Sequence, residues 1–421
     1  MADWDEFSAA VAGGLETEGA VVLLACDVGP VSTTVGTKEH PFAGVFDGGS
    51  NTLTVALSGA DYFLAPFSVV AGATIWDLRV AGTVAGGMHC SGLVGKVDGG
   101  ASNLVEGCEV AAAISSSGSH FGGFVGHSVT NAATLRGCVF SGSLSGGTYV
   151  ATFHGWSDDG AATTLVDCLD ASASNQPIGR GADAACVSNT YYRVSKNFSN
   201  GERLWSEGKR GKRAYAVTGG EGVDPGFGEP LRAYGGSGLT AYSDGLERGG
   251  AFYAEAGASI RLSPVFTGTP PAGMMHNNFQ ASAGDFAKNG DAWELAMPAR
   301  DVVVSATFVE LTYENWAAAN GVAGAWDATD ASGIHNVFRY LFNVPTGDFA
   351  LLGIAFNDDG KAVILTPPLV NTSGFTFSVV VSDNVNGTGN SATYDLDASG
   401  ETVINETGKT RSFFRLRAVE Q

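Results

Sequence analysis

A 30-residue register is the feature that most constrains the fold. Three cysteines, Cys108, Cys138 and Cys168, stand at two equal steps of 30 residues, and one step upstream lies Leu78. The short β-prone segments around these four positions align. A unit of this length cannot bury an apolar face alone, whereas stacked units can. We therefore expect a solenoid whose rungs lie ~4.8 Å apart, with Leu78, Cys108, Cys138 and Cys168 as one ladder in its core.

A second recurring element precedes the last three of these positions. It reads Gly92-Leu-Val-Gly95, then Gly123-Phe-Val-Gly126, then Phe153-His-Gly155. Glycine makes up 60 of the 421 residues. In a stacked repeat such glycines belong at tight corners, where the backbone needs a positive φ. The pattern predicts a parallel β-helix.

The N-terminal residues 3–12 are predicted to form a helix. Asp3 followed by Glu6 has the form of a capping box, and Trp4 and Phe7 fall on one face. A helix here would cover the open end of the solenoid, because an unpaired sheet edge must be blocked.

The glycine-rich element resembles the GLUG motif of bacterial surface and adhesin-like proteins. The resemblance covers about residues 1–195. It implies a right-handed parallel β-helix on a secreted or cell-surface bacterial protein. The third unit departs from the motif, because Phe153-His-Gly155-Trp156 replaces Gly-Leu-x-Gly.

Residues 196–213 are predicted to be a linker, and they contain Lys209, Arg210, Lys212 and Arg213. This basic run is interpreted as a solvated linker or strand lead-in, with a processing site or an anionic contact as the alternatives.

Residues 214–310 resemble the internalin B-repeat type of bacterial module. The resemblance rests on Met297-Pro, Asp301 and the alternating strand that follows them. It implies a small β-grasp-like module.

Residues 311–421 are predicted to form a β-sandwich-like domain with two leading helices. Tyr313 to Asn320 reads as one helix, and Ile334, Val337, Phe338 and Leu341 fall on one face of another. The tail from Arg411 to Arg417 is similar to the C-terminal segments of large secreted bacterial proteins.

Charge and hydropathy exclude several classes of protein. The formal net charge of −20 argues against nucleic acid and anionic membranes as partners, since both attract a basic surface. No apolar run reaches the ~18 residues that would span a bilayer. The N-terminus has no apolar signal-peptide core, so we expect either a cytosolic chain or a signal already removed.

Six cysteines raise the question of disulfides. We expect Cys108, Cys138 and Cys168 to be buried thiols, because stacked side chains run parallel and three cannot all pair. Cys26, Cys90 and Cys186 are left open. No Cys/His spacing suits zinc, and no resident cofactor or metal is expected.

Parallel β-helices also carry polysaccharide lyases and glycosidases, which need paired carboxylates. Asp98 and Asp158 would lie two rungs apart, roughly 10 Å, with Asp159 and His154 nearby. The plainer interpretation is that the Asp-Gly sequences are turns.

His89 and His120 occupy matching places in successive repeats. They are interpreted as polar corner residues, with a metal site or a pH switch as the alternative.

Weak calcium binding is a further possibility. Asp327, Asp330 and the run from Asp383 to Gly387 offer oxygen ligands, but the EF-hand pattern is incomplete. These residues are expected to be turns.

The sequence thus predicts a non-catalytic extracellular or cell-surface bacterial protein. It would act in adhesion, or bind a glycan or a host-surface protein, through the β-helix. The alternatives are a polysaccharide-active enzyme on the same helix and a structural spacer. The ligand, the anchoring mode and the oligomeric state stay open.

Overall fold

The computed structural model describes residues 3–100, 102–131, 133–182, 185–199, 201–347, 353–359, 361–383, 390–404 and 412–421. They form two compact units. The first comprises the chain up to Val265 together with Gln280–Ser305, and the second comprises Phe266–Phe279 and Ala306–Gln421. Within these ranges no helix is long and apolar enough to cross a bilayer.

The first unit begins as a solenoid of parallel strands, which confirms the predicted β-helix. Strands from successive turns form three sheets, called sheets 1, 2 and 3 here. Sheet 1 contains Val21–Leu23, Val45–Asp47, Thr74–Trp76, Asn103–Glu106, Ala133–Arg136, Thr164–Val166 and Ala185–Val187. The solenoid part of sheet 2 contains Val28–Val31, Thr52–Ser58, Arg79–Gly86, Glu109–Val110, Ala113–Ser119, Val139–Phe140, Ser143–Thr148, Leu169–Asp170 and Tyr191–Tyr192. Sheet 3 contains Phe67–Val70, Val94–Val97, Val125–Ser128 and His154–Ser157.

Helix α1, Trp4–Ala12, covers the first turn of the solenoid. Its N-cap is Asp3, whose carboxylate accepts a hydrogen bond from the Glu6 amide. The Trp4 ring packs edge-on against Phe46 and Phe67, at centroid distances of 5.9 and 5.6 Å. The apolar interior of the solenoid is therefore closed at this end by aromatic packing.

The 30-residue ladder lies in the core. All four ladder residues, Leu78, Cys108, Cys138 and Cys168, are completely buried. The carbonyls of the first three accept hydrogen bonds from backbone amides of the following turn, those of Glu109, Val139 and Leu169. All six cysteines of the chain are free thiols. Burial raises the pKa of Cys108 to about 12 and also raises that of Cys138, so these two thiols are neutral, small apolar side chains.

Sheet 2 continues beyond the solenoid. Tyr191–Tyr192 pairs in parallel with Lys212–Gly219, which pairs antiparallel with Ala251–Glu255. The stretch 196–213 thus contains the start of a strand, and before it a 3-10 helix, Glu207–Lys209. The antiparallel part of the sheet ends with Leu246–Arg248, Leu239–Ala241 and Arg232–Tyr234.

This antiparallel segment folds back over one corner of the solenoid. A column of positive-φ residues marks that corner: Asp77, Gly107, Gly137 and Asp167. The Tyr234 ring lies so close to Gly137 that a Cβ there would be 2.0 Å from it, and the Tyr234 hydroxyl donates to Asp167 at 2.8 Å. This corner of the solenoid is therefore covered.

The remaining strands of the first unit are short. They are Val223–Asp224, Ser259–Leu262, Asp285–Asn289 and Ala292–Ala296. Three further strands contain or adjoin the boundaries between the units: Val265–Phe266, Met274–Ala281 and Val302–Glu310.

The second unit contains two helices and two small antiparallel sheets. Helices α2, Tyr313–Asn320, and α3, Asn336–Phe342, pack their rings against Phe375 and Phe377. One sheet contains Gly353–Phe356, Ala362–Leu365 and Glu401–Val403, and the other contains Phe375–Ser382, Ser391–Asp395 and Phe413–Glu420. Ile364 and Ile404 share a buried cluster with Val379 and Val381 of the second sheet.

Candidate functional site: an aromatic corner of the solenoid

Four bulky residues adopt left-handed backbone conformations at the corner that leads into sheet 3. Phe63, His89, His120 and Tyr149 have φ of 65, 61, 58 and 56°. Their rings stack from one turn to the next at centroid distances of 5.5, 5.8 and 5.0 Å. Positive φ is uncommon for such side chains, and here it repeats in four successive turns. The result is a column of rings along one corner.

The second glycine of each motif explains how this corner closes. A Cβ added to Gly95 would lie 1.9 Å from the carbonyl oxygen of Phe63, and one added to Gly126 would lie 1.9 Å from that of His89. No side chain fits at either position. The glycine motif and the ring column therefore belong to one structural device, in which a glycine of one turn lies against the corner of the turn before.

The third repeat keeps the glycine that lies against the corner but differs from the first two repeats at two positions. Bridges between successive turns pair Ala151 with Gly122 and His154 with Val125, and the same register puts Thr152 opposite Gly123. The sequence alignment, which began this unit at Phe153, is thus extended by one residue to Thr152. Gly155 keeps the role of the second glycine. His154, a sequence candidate for catalysis, takes a valine position and is completely buried.

A second column lies beside the rings on sheet 3. Lys96, His127 and Trp156 are in register on neighbouring strands. The His127 ring stacks on His89 at 4.3 Å, and the Trp156 ring packs edge-on against His120 at 4.7 Å. The aromatic corner is defined here as six residues: Phe63, His89, His120, Tyr149, His127 and Trp156.

The sequence candidates Asp98 and Asp158 end two strands of sheet 3. Their amides donate to the carbonyls of Val70 and Ser128 respectively, which places the two aspartates two rungs apart. Asp98 pairs with the Lys96 ammonium at 2.5 Å. Asp158 accepts from the Trp156 indole at 2.9 Å and lies 3.3 Å from His127 Nε2.

Segment 201–205 lies along the same corner. Glu202 is 3.2 Å from His120 Nε2, and Arg203 pairs with Asp159 while its guanidinium carbon lies 5.6 Å from the Trp156 ring centroid. Side chains of Arg203 and Asp158 are 45 and 44 % exposed. Solvent thus reaches a ring flanked by a carboxylate and a guanidinium.

Two imidazoles of this corner, His89 and His127, have lowered pKa values. Burial, followed by the charges of His127 and His120, lowers the pKa of His89 to about 4. Burial also lowers the pKa of His127, against the opposing effect of Asp158. His89 Nδ1 lies 3.0 Å from the His120 carbonyl, which can only accept, so this nitrogen carries the proton.

His154 is the most perturbed of these groups. Burial lowers its pKa to about 3, and neither ring nitrogen finds a hydrogen-bond partner among the described residues. Its nearest ring is Trp205, packed edge-on at 6.4 Å. His154 is therefore not brought together with the carboxylates in a solvent-accessible site.

The sequence analysis missed part of the corner. It noted the matching places of His89 and His120 but not Phe63, Tyr149, His127 or Trp156. The steps of 31 and 29 residues among Lys96, His127 and Trp156, both close to the 30-residue repeat, were a signal that could have been used. No sequence pattern indicates that the non-glycine residues of this corner adopt a left-handed conformation.

The described residues offer no group of three or more His, Cys, Asp or Glu side chains arranged to hold a metal ion. Of the calcium candidates, the Asp330 carboxylate accepts from Ser332 and the Ile334 amide and pairs with Arg339. The Asp327 carbonyl faces His335 Nδ1 at 2.7 Å. In the run from Asp383 to Gly387, residues 384–387 lie outside the described residues.

Comparison with protein-family models, with curated proteins and with solved structures found no match for this chain.

Proposed function

We propose that this protein is a non-catalytic, extracellular or cell-surface protein that binds a glycan through the aromatic corner. The observation that carries the proposal is the setting of Trp156, a half-buried ring with Asp158, Arg203 and His120 around it. Sugar rings present C–H faces that stack on aromatic rings, and their hydroxyls bond to carboxylates and guanidinium groups. Such a mixture of rings and a few oriented polar groups is typical of small-ligand sites.

The ion pairs of the corner favour binding over hydrolysis. A glycosidase needs one carboxyl group to hold a proton for the leaving oxygen. Asp98 faces Lys96, and Asp158 faces an indole N–H and an imidazole. Both carboxylates are thus already engaged by groups of the protein itself, and a separation of two rungs, roughly 10 Å, exceeds the usual range for a catalytic pair.

The finer architecture is part of the same proposal. We infer a right-handed solenoid, since parallel crossovers are right-handed in almost every known case. The GLUG-type, adhesin-like character, the β-grasp-like module at 214–310 and the sandwich-like domain at 311–421 rest on the motif resemblances. Two small sheets sharing a buried cluster support the sandwich-like domain.

A glycan array combined with a reducing-sugar assay on the same preparation tests the function. The intact chain is expected to bind a defined set of glycans and to release no reducing ends. Trp156→Ala should weaken binding by about five- to thirtyfold, because about 1–2 kcal/mol of stacking and its cation partner are lost. Trp76→Ala, on sheet 1 with the ring 37 % exposed, is the matched control and should bind normally.

Two outcomes would overturn the proposal. Release of reducing ends that disappears in Asp158→Asn would identify a polysaccharide-active enzyme. The absence of any bound glycan, with the chain folded, would favour a structural spacer.

A further inference from the structure

The basic run that follows the solenoid lines a pocket. Three of its members, Arg210, Lys212 and Arg213, border a cavity of ≈ 410 Å³. Three aromatic rings border the same cavity: Tyr192, Phe198 and Tyr215. The volume lies within the range of small-molecule sites, about 300–1,000 Å³. None of these residues belongs to the aromatic corner.

Both arginines are oriented by their neighbours. Arg210 Nε donates to the Trp205 carbonyl at 2.7 Å, and its guanidinium carbon lies 4.5 Å from the Phe198 ring centroid. Arg213 donates through one terminal nitrogen to Ser195 Oγ at 2.8 Å, and its guanidinium carbon lies 5.1 Å from the Tyr215 centroid. Stacking on a ring fixes a guanidinium plane while leaving terminal N–H groups for a ligand.

Basic side chains outnumber acidic ones in the pocket lining, although the chain as a whole is acidic. Lys212 pairs with Glu255 at 2.5 Å, and Glu207 is the other acidic lining residue. Arg210 and Arg213 form no ion pair with a carboxylate in the part of the chain that the structure describes. The pocket lining thus carries three basic and two acidic side chains, in a protein of net charge −20.

We propose that this pocket binds the acidic group of an anionic sugar residue, a carboxylate or a sulfate. Guanidinium forks match the geometry of both groups and bind them through paired, charge-assisted hydrogen bonds. The neighbouring rings Tyr192, Phe198 and Tyr215 supply stacking surfaces for the pyranose. Of the two functional interpretations of the basic run, a processing site and an anionic contact, the pocket supports the anionic contact. This proposal stands apart from the aromatic corner, because the two sites share no residue.

Titration calorimetry of the whole chain tests the pocket. The probes are digalacturonate, a sulfated chondroitin disaccharide and neutral galactobiose, each at low and moderate salt. At least one acidic probe is expected to bind at least tenfold more tightly than galactobiose and to weaken with salt. Arg213→Gln and the double variant Arg210→Gln/Arg213→Gln should weaken it about tenfold or more, since each loses a charge-assisted bond. Arg261→Gln, an exposed arginine on Ser259–Leu262, is the matched control.

A comparison of the two acidic probes shows whether the pocket prefers a carboxylate or a sulfate. Equal affinity for galactobiose, unchanged affinity in Arg213→Gln, or no binding of either acidic probe would overturn the proposal. Trp156→Ala separates the two sites, because it should leave binding of the acidic disaccharide unchanged. A failure of this pocket is therefore distinguishable from a failure of the aromatic corner.

Discussion

Bulky residues in left-handed conformations carry a cost that the aromatic corner must offset. The penalty for a non-glycine residue is roughly 1–2 kcal/mol, and a stacked ring pair contributes about 0.5–1.5 kcal/mol. Phe63, His89, His120 and Tyr149 each take this conformation, and each stacks on the next. The two effects are of similar size, so the column gains little net stability. Its regular repetition instead fits a surface kept for recognition.

Gly126→Ala is predicted to destabilise the first unit by about 2–4 kcal/mol. The new Cβ would lie 1.9 Å from the His89 carbonyl oxygen, so the corner must move. Gly208→Ala is the matched control, because a Cβ there meets nothing within 4 Å and the backbone φ is not left-handed. Urea unfolding measures both free energies. Equal stability of the two variants would show that the glycine motif does not support the corner.

At this scale the sequence could predict periodic positions but not their conformations. The 30-residue step located Cys108, Cys138 and Cys168, since an interior ladder repeats one small apolar side chain. The column of four rings at the corner could not be predicted in this way, because its members, Phe63, His89, His120 and Tyr149, share ring shape rather than residue type. Only the fold shows that they stack.

Two imidazoles, His154 on sheet 3 and His89 at the corner before it, have strongly lowered pKa values. His154 and His89 have pKa values of about 3 and about 4 in the folded chain, whereas an ordinary histidine titrates near 6.5. Their contribution to stability is complete above pH 6.5. It is lost as the pH falls towards 4, because the unfolded chain then takes up protons that the folded chain excludes.

We predict that the first unit loses stability between pH 6.5 and 4, and that His154→Val loses less. The pKa shift of His154 corresponds to a loss on the order of 4 kcal/mol by about pH 3. Valine occupies the matching places in the neighbouring turns, Val94 and Val125, so it fits the column. At pH 7.5 the variant should gain roughly 1–3 kcal/mol, since two unpaired buried nitrogens disappear.

Urea unfolding across this pH range is the measurement. The exposed His40→Val serves as the control and should keep the pH dependence of the parent chain. An identical pH profile for His154→Val would contradict the assignment of the acid sensitivity to this column.

The first unit extends beyond the solenoid repeats because sheet 2 continues into the antiparallel strands that follow them. The pairing of Tyr191–Tyr192 with Lys212–Gly219 joins the helix to the antiparallel segment, and Tyr234 closes that segment onto Asp167. Local sequence patterns could predict strands in residues 214–262. They could not predict this docking, since Asp167 and Tyr234 are 67 residues apart and Tyr234 lies outside the repeat.

Tyr234→Ala is predicted to destabilise the solenoid and the antiparallel segment together, by about 3–5 kcal/mol. The ring is buried against Gly137, and its loss leaves a cavity. Hydrogen exchange should show protection falling in both Asn103–Glu106 and Ala251–Glu255. Leu231→Ala, at a side chain 71 % exposed in the same segment, should leave both unchanged. Loss confined to the antiparallel segment would show that the two parts fold separately.

The central claim is that a glycan binds at the aromatic corner, and indole N–H resonances test it most directly. The chain has seven tryptophans, and the Trp156 N–H donates to Asp158 at 2.9 Å. On titration with a glycan selected by the array, a ¹⁵N-resolved spectrum should show the Trp156 signal moving while those of Trp76 and Trp326 stay in place. A stationary Trp156 signal in the presence of saturating glycan would contradict the account.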